Sequence, residues 1–116
     1  MFNQLATQDR LAALAFVDRL QQHFTGDVVS VILYGSRARG DAGLEADMDI
    51  LVVLESVNPD IRREVNYLAA ETWLEYGIFV SPLIWSQAQE HRAAQLQTSL
   101  YQNIEQDGIE LFRLSA

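Results

Sequence analysis

The chain has no cysteine and no lysine. The first absence excludes disulfides, thiolate catalysis and cysteine-ligated metals. The second excludes a P-loop lysine and a Schiff-base nucleophile, because all eight basic residues are arginines. Positive charge is scarce as well: sixteen acidic residues give a formal charge of −8 and a pI near 4.5, the opposite of the basic stripe that a phosphate backbone requires, so no direct nucleic-acid contact is expected. The start, Met1-Phe2-Asn3-Gln4-Leu5, lacks a basic region followed by an apolar one, and no apolar run approaches the roughly 18 residues of a membrane span. A soluble, cytoplasmic protein without a membrane partner is expected. With 116 residues, 49% hydrophobic and 21% charged, the chain has the balance of one folded domain over 1–116, leaving acceptor recognition to another molecule.

Apolar residues recur at helical spacing from Thr7 to Phe24 (Ala13, Phe16, Val17, Leu20), with Thr7 as N-cap and Gly26 as stop. Val28–Tyr34 and Met48–Leu54 are apolar, β-branched runs of the kind buried on both faces of a sheet. Asn58-Pro59 opens a second helix that presents Ile61, Val65, Leu68, Ala69, Thr72, Trp73 and Tyr76 on one face and stops at Gly77. Ile78 to Trp85 reads as a third strand, which Pro82 pushes to a sheet edge or a bulge. Ser86 and Gln89 form a capping box for a third helix through Ala93, Leu96, Leu100 and Ile104 to Gly108, and Ile109 to Leu114 can add a last strand. The expected fold is mixed α/β, order α-β-β-α-β-α, with helices packed on a small sheet.

Between the first two strands lies a polar segment with Gly35-Ser36, ten intervening residues and Asp47-Met48-Asp49. In a strand, side chains two apart share a face with Cα atoms roughly 6.5–7 Å apart, so Asp47 and Asp49 can converge on shared cations. Hard carboxylate ligands suit Mg²⁺, and two such ions clamp the attacking and leaving oxygens of an in-line phosphoryl displacement. Gly35 lets the backbone approach a triphosphate, while the Ser36 hydroxyl and nearby amides donate to phosphate oxygens. Arg37 and Arg39 offer forked donors for phosphate charge, with Arg39 the preferred ligand.

At these residues the sequence resembles the DNA polymerase β-type nucleotidyltransferases, whose signature is Gly-Ser, about ten residues, then Asp-x-Asp. It is most similar to their minimal single-domain branch, the MNT antitoxins of HEPN/MNT toxin–antitoxin modules. Ser81-Pro82-Leu83-Ile84-Trp85-Ser86 and Tyr101-Gln102-Asn103-Ile104-Glu105-Gln106-Asp107-Gly108-Ile109 look like that branch's closing strand and C-terminal helix. The resemblance implies AMP transfer from ATP to a tyrosine of a helical HEPN-domain toxin, with Asp47, Asp49 and Ser36 catalytic, Gly35, Ser36, Arg37 and Arg39 on the nucleotide, and Asp47 and Asp49 on the metal. It also implies a third carboxylate on the strand after the second helix. Here one face of that strand carries Phe79, Ser81, Leu83 and Trp85 and the other Ile78, Val80, Pro82 and Ile84, with no acid on either. Glu75, Glu105 and Asp107 lie elsewhere along the chain. The alternative function is therefore a catalytically weak or inactive domain that neutralises its partner by contact.

The remaining marked residues have plainer readings. Arg62 and Arg63 belong to a surface helix start, and His23 and His91 stand alone near helix ends. Tyr67, Trp73 and Tyr76 read as core on helix two. Tyr101, Phe112 and Leu114 can equally close the core or meet a partner, and the expected docking surface is helix three with the tail around Tyr101, Ile109 and Phe112.

Overall fold

The computed structural model describes residues 5–41, 43 and 46–115. Met1 to Gln4, and Ala42, Leu44 and Glu45 of the spacer, lie outside the described residues. The elements are α1 (Thr7–His23), β1 (Val28–Tyr34), α2 (Gly35–Arg39), β2 (Met48–Leu54), α3 (Pro59–Tyr76), β3 (Val80–Ser86), α4 (Gln87–Leu96), α5 (Ser99–Asp107) and β4 (Ile109–Arg113). The four strands form a mixed sheet in the order β3-β2-β1-β4. β1 is antiparallel to both β2 and β4, whereas β2 and β3 are parallel and joined through α3. Pro82 accordingly sits on an edge strand, where a missing N–H costs least.

β2 shows why its sequence is a continuous apolar run. Ile50, Val52 and Leu54 point to the α1/α3 side, where they join Phe16, Leu20, Val31, Leu33, Val65, Leu68 and Val80 in the main core. Leu51 and Val53 point the other way, meeting Ile104 of α5 with Ile32, Tyr34, Leu83 and Trp85 around them. All five β2 side chains are essentially inaccessible. At roughly 1.5–3 kcal/mol for each large apolar side chain buried, this central strand anchors the sheet and fixes its register.

Several boundaries differ from expectation. Thr7 is the first residue of α1; the N-cap is Ala6, which makes no side-chain cap bond. The polar segment after β1 begins with the short helix α2, ended by Gly40 at φ 82°. The expected third helix is two. Gln97 turns left-handed at φ 50° to end α4, and the Thr98 side chain accepts from the Tyr101 amide to start α5. This break leaves Leu96 and Leu100 exposed while Ala93 and Ile104 stay buried. Tyr67 and Trp73 are exposed on α3, contrary to the core reading, because Val65, Leu68, Ala69 and Thr72 alone fill the buried stripe; Tyr76 packs partly against the core. Ile109, expected on a docking surface, is buried, and Phe112 packs on the main core. Among the described residues no helix is long and apolar enough to cross a membrane.

Candidate active site

The Gly-Ser and the two aspartates meet where β1 ends and β2 begins. Tyr34, the last residue of β1, pairs in register with Asp49, and Ser81 of β3 is the register partner of Asp49 on its other side. Gly35 follows immediately with φ +78°, and a β-carbon there would sit 2.5 Å from Asp49 Oδ2. Only glycine lets the chain turn into α2 while the Asp49 carboxylate lies against its backbone.

The two aspartates sit differently. Asp47 is exposed and Asp49 half-buried. Burial, and then the negative charge of Asp47, push the Asp49 carboxyl above its usual range, with Arg39 opposing. Burial and then Asp49 likewise push the Tyr34 phenol up. A carboxyl held above its usual range beside a second acidic side chain marks a site short of positive charge. That donor set, hard carboxylate oxygens close enough for Asp47 to act on Asp49, fits a divalent cation that would take its other ligands from phosphate and water. Among the described residues no group of three or more His, Asp or Glu side chains converges on a common point.

The two arginines of the loop have separate surroundings. Arg39 donates from Nε to Asp41 (3.1 Å) and from Nη1 to Asp107 of α5 (3.0 Å). It faces a cavity of about 280 Å³ lined by Tyr34, Gly35, Leu100, Asn103 and Asp107. Its hydrogen bonds to Asp107 and Asp41 hold its guanidinium more firmly cationic than usual. Arg37 instead turns into the fold, donating from Nη1 to Asp9 of α1 (2.6 Å) and from Nε to the Ala46 carbonyl (2.7 Å). It ties the first turn of α1 to the residue before Asp47. The Ser36 carbonyl accepts from the Gly40 and Asp41 amides, and α2 begins without a side-chain cap, which leaves its first amides without intrahelical acceptors.

Asp107 and Asp9 were not legible as members of this neighbourhood, since Asp107 lies 68 residues from Arg39 and Asp9 28 from Arg37. Neither has a local sequence signal. Of the histidines, His23 faces Glu64 on α3 (2.8 Å), and His91 lines a separate cavity with Glu90, Tyr101 and Arg113; neither reaches the aspartates' neighbourhood.

The model of the nucleotidyltransferase domain family matches residues 15–111, which include Gly35, Ser36, Arg37, Arg39, Asp47, Asp49, Ser81 and Asp107. The chain belongs to the nucleotidyltransferase domain family. Among curated proteins, it is similar to three from Methanocaldococcus jannaschii that carry the provisional name of protein adenylyltransferase. One is 31% identical over 97 residues, covering 84% of this chain and 91% of the relative. A second is 31% identical over 83 residues, 70% and 76% of the two chains. A third is 33% identical over 72 residues, 60% of this chain, which spans about half (49%) of that relative's length. Solved structures share the nucleotidyltransferase fold at low identity. A toxin–antitoxin crystal structure with AMP-PNP aligns at TM-score 0.61 and 18% identity, covering 88% of this chain and 74% of that one. A tri-AMPylated Shewanella oneidensis HEPN toxin in complex with MNT antitoxin aligns at 0.56 and 17%, covering 91% and 73%.

Proposed function

We propose that this chain is a Mg²⁺-dependent protein adenylyltransferase that moves AMP from ATP onto a hydroxyl, a tyrosine by preference, of a HEPN-type toxin, and so acts as its antitoxin. The observation that carries this reading is the placement of the Asp49 carboxylate against Gly35, with the Arg39–Asp107 pair lining the cavity beside them. A lone surface Asp-x-Asp has no reason to sit against a positive-φ glycine or to keep a carboxylate above its ordinary pKa. The names of the relatives and of the toxin–antitoxin neighbours support it.

In the transfer, a bond forms from the acceptor oxygen to the α-phosphorus of ATP. The α–β anhydride bond breaks, pyrophosphate leaves, and the acceptor proton passes to a base. Asp47 and Asp49 hold Mg²⁺, which when bound neutralises the triphosphate and eases departure of pyrophosphate. Gly35 and Ser36 bring backbone amides and a hydroxyl to the phosphates, and Arg39, already oriented by Asp107 and Asp41, adds fixed positive charge. Arg37 keeps Ala46, and with it the start of β2, in place.

Ser81 favours a second reading. It occupies the register position beside Asp49, where a carboxylate on β3 could assist, and it cannot take a proton at neutral pH. Without a base of its own the domain could act by contact alone. Intact-mass analysis of a HEPN-domain protein from the same genome, incubated with this chain, ATP and Mg²⁺, separates the two. AMP increments on the acceptor that vanish with EDTA support transfer; tight binding with no increment under any divalent metal replaces it with the contact reading.

A further inference from the structure

Two residues in the wall of the cavity beside Arg39, Leu100 and Asn103, have no part in the transfer as described. With Asp107 they stand at i, i+3 and i+7 of α5, one stripe of the helix. Asp107 accepts from Arg39; at 1.5 Å per residue Asn103 lies about 6 Å, and Leu100 about 10 Å, further along the axis of α5. The Asn103 side chain has no hydrogen-bond partner among the described residues. Its neighbour Gln102, turned away around the helix, donates instead to the Gln97 carbonyl. Arg39 is the one base among the described lining residues, and Asp41 and Asp107 already offset it. Beyond it the wall is neutral: burial and Asp49 hold the Tyr34 phenol protonated, and Leu100 and Asn103 carry no charge. A phosphate finds no cation there, whereas a flat neutral ring gains apolar contact from Tyr34 and Leu100 and keeps a polar edge for Asn103. The volume of about 280 Å³ is at the small end of ligand cavities, roughly 300–1,000 Å³, and suits one heterocycle.

We infer that this cavity is the nucleobase subsite and that Asn103 selects adenine, its carboxamide oxygen accepting from the N6 amino group and its amide nitrogen donating to N7. The inference rests on the adenylyltransferase reading above and names the residue that makes ATP the preferred substrate. A carboxamide presents one acceptor and one donor side by side, the complement of the adenine N6/N7 edge. Guanine has acceptors at both O6 and N7, so the Asn103 oxygen would face an acceptor and one of its two bonds would be lost. The placement agrees with the shape of a nucleotide, whose ribose separates the base from the phosphates. Gly35 and Arg39 hold the phosphate end, and Asn103 stands one helical turn away from the Arg39–Asp107 pair, on the same side of α5.

The test titrates ATP and GTP, each with Mg²⁺, into the full chain and its N103L, N103A and Q102L variants by calorimetry. Asn103 and Gln102 are exposed, so unchanged melting curves are expected. The wild type should bind ATP about tenfold or more tightly than GTP, the discrimination that a two-bond base contact gives. N103L and N103A should each weaken ATP by about tenfold and bring the two nucleotides within about twofold of each other, while Q102L keeps the wild-type ratio. A wild type that binds ATP and GTP equally overturns the assignment. So do N103L and N103A variants that keep the wild-type ratio, which leaves the cavity to the acceptor, and so does a Q102L that loses selectivity as they do, which traces the effect to α5 as a whole. A wild type that binds neither nucleotide removes the base subsite and the adenylyltransferase reading together. If ATP is selected through Asn103 and no AMP is ever incorporated into a HEPN-domain protein from the same genome, the subsite stands and the transfer reading falls.

Discussion

Asp49 keeps its carboxylate against the bare backbone of Gly35: a β-carbon at position 35 would lie 2.5 Å from Oδ2 and 3.4 Å from the carboxyl carbon. Gly35→Ala therefore meets two obstacles, a contact no β-carbon tolerates and a positive φ that costs a non-glycine residue about 1–2 kcal/mol. The variant should fold with a lower melting temperature and lose nucleotide transfer far beyond what its stability loss explains, because the Asp49 carboxylate must move. Gly40→Ala is the control. It has the same positive φ with nothing within 4 Å of its β-carbon, so it should show the strain without the loss of transfer. Equal activity losses in the two variants would detach Gly35 from the site.

Asp49 also links stability to pH in a definite direction. Its folded pKa is raised above its unfolded value by burial and by Asp47, so the folded state prefers the protonated form. The folded state is favoured while pH is below the ordinary value near 3.9, and this advantage is lost as pH rises through the folded pKa. In EDTA at neutral pH, Asp49→Asn should therefore melt at a higher temperature than wild type, with the gap closing under acid conditions. Mg²⁺ should raise the wild-type melting temperature and leave Asp49→Asn unmoved, while Asp47→Asn and Asp49→Asn each abolish transfer. A destabilised Asp49→Asn in EDTA would show that the carboxylate holds the fold rather than a cation.

Arg37 and Arg39 sit in different surroundings, so their replacements should separate support of the fold from nucleotide binding. Arg37 and Asp9 are only 10% and 13% exposed, and removing one partner of such a pair costs about 3 kcal/mol by leaving the other charge unpaired. Arg37→Ala should thus be strongly destabilised. The Arg39 side chain is 44% exposed, where solvent screens its ion pairs, so Arg39→Ala should melt near wild type yet bind ATP more weakly. Asp107→Asn, which frees Arg39 from α5, should produce a milder form of the same binding defect. Chemical denaturation paired with ATP titration reads both effects, and the reverse pattern would exchange the two roles.

How far the sequence could be read follows from which contacts are local. β1 and β2 are legible because burial on both faces demands uninterrupted apolar runs, and the aspartates stand out by their spacing, Asp49 on β2 and Asp47 just ahead of it. The break at Gln97 was hidden because Leu96, Leu100 and Ile104 keep a spacing of four across it, and a left-handed residue leaves no mark on periodicity. Tyr67 and Trp73 border the buried stripe of α3, where periodicity cannot say whether the neighbouring layer extends far enough to cover them; here it does not. The Arg37–Asp9 and Arg39–Asp107 pairs depend on the packing of α1 and α5 around α2, and similar charges elsewhere in the sequence could have served as well.

The last prediction concerns the missing acid, and Ser81 locates it. A phenolic acceptor has a pKa near 10, so at neutral pH only about one molecule in a thousand is ionised. General-base help is worth roughly 10²–10⁴-fold. Ser81 is the register partner of Asp49 on β3, and its same-parity neighbours Phe79, Leu83 and Trp85 offer no base either. Under the proposed transfer the base comes with the acceptor, and a histidine beside the acceptor tyrosine is the natural candidate. Replacing that histidine with alanine should cut the labelling rate sharply, and Ser81→Asp in this chain should restore part of it. Ser81→Asp should further raise the Asp49 pKa by adding a third negative charge, so the restored activity should fall off at a higher pH than in the wild type as acid is added. Normal labelling of the histidine variant would show that the proton leaves by another route. An inert Ser81→Asp with unchanged metal binding would mean that this register position does not face the acceptor oxygen.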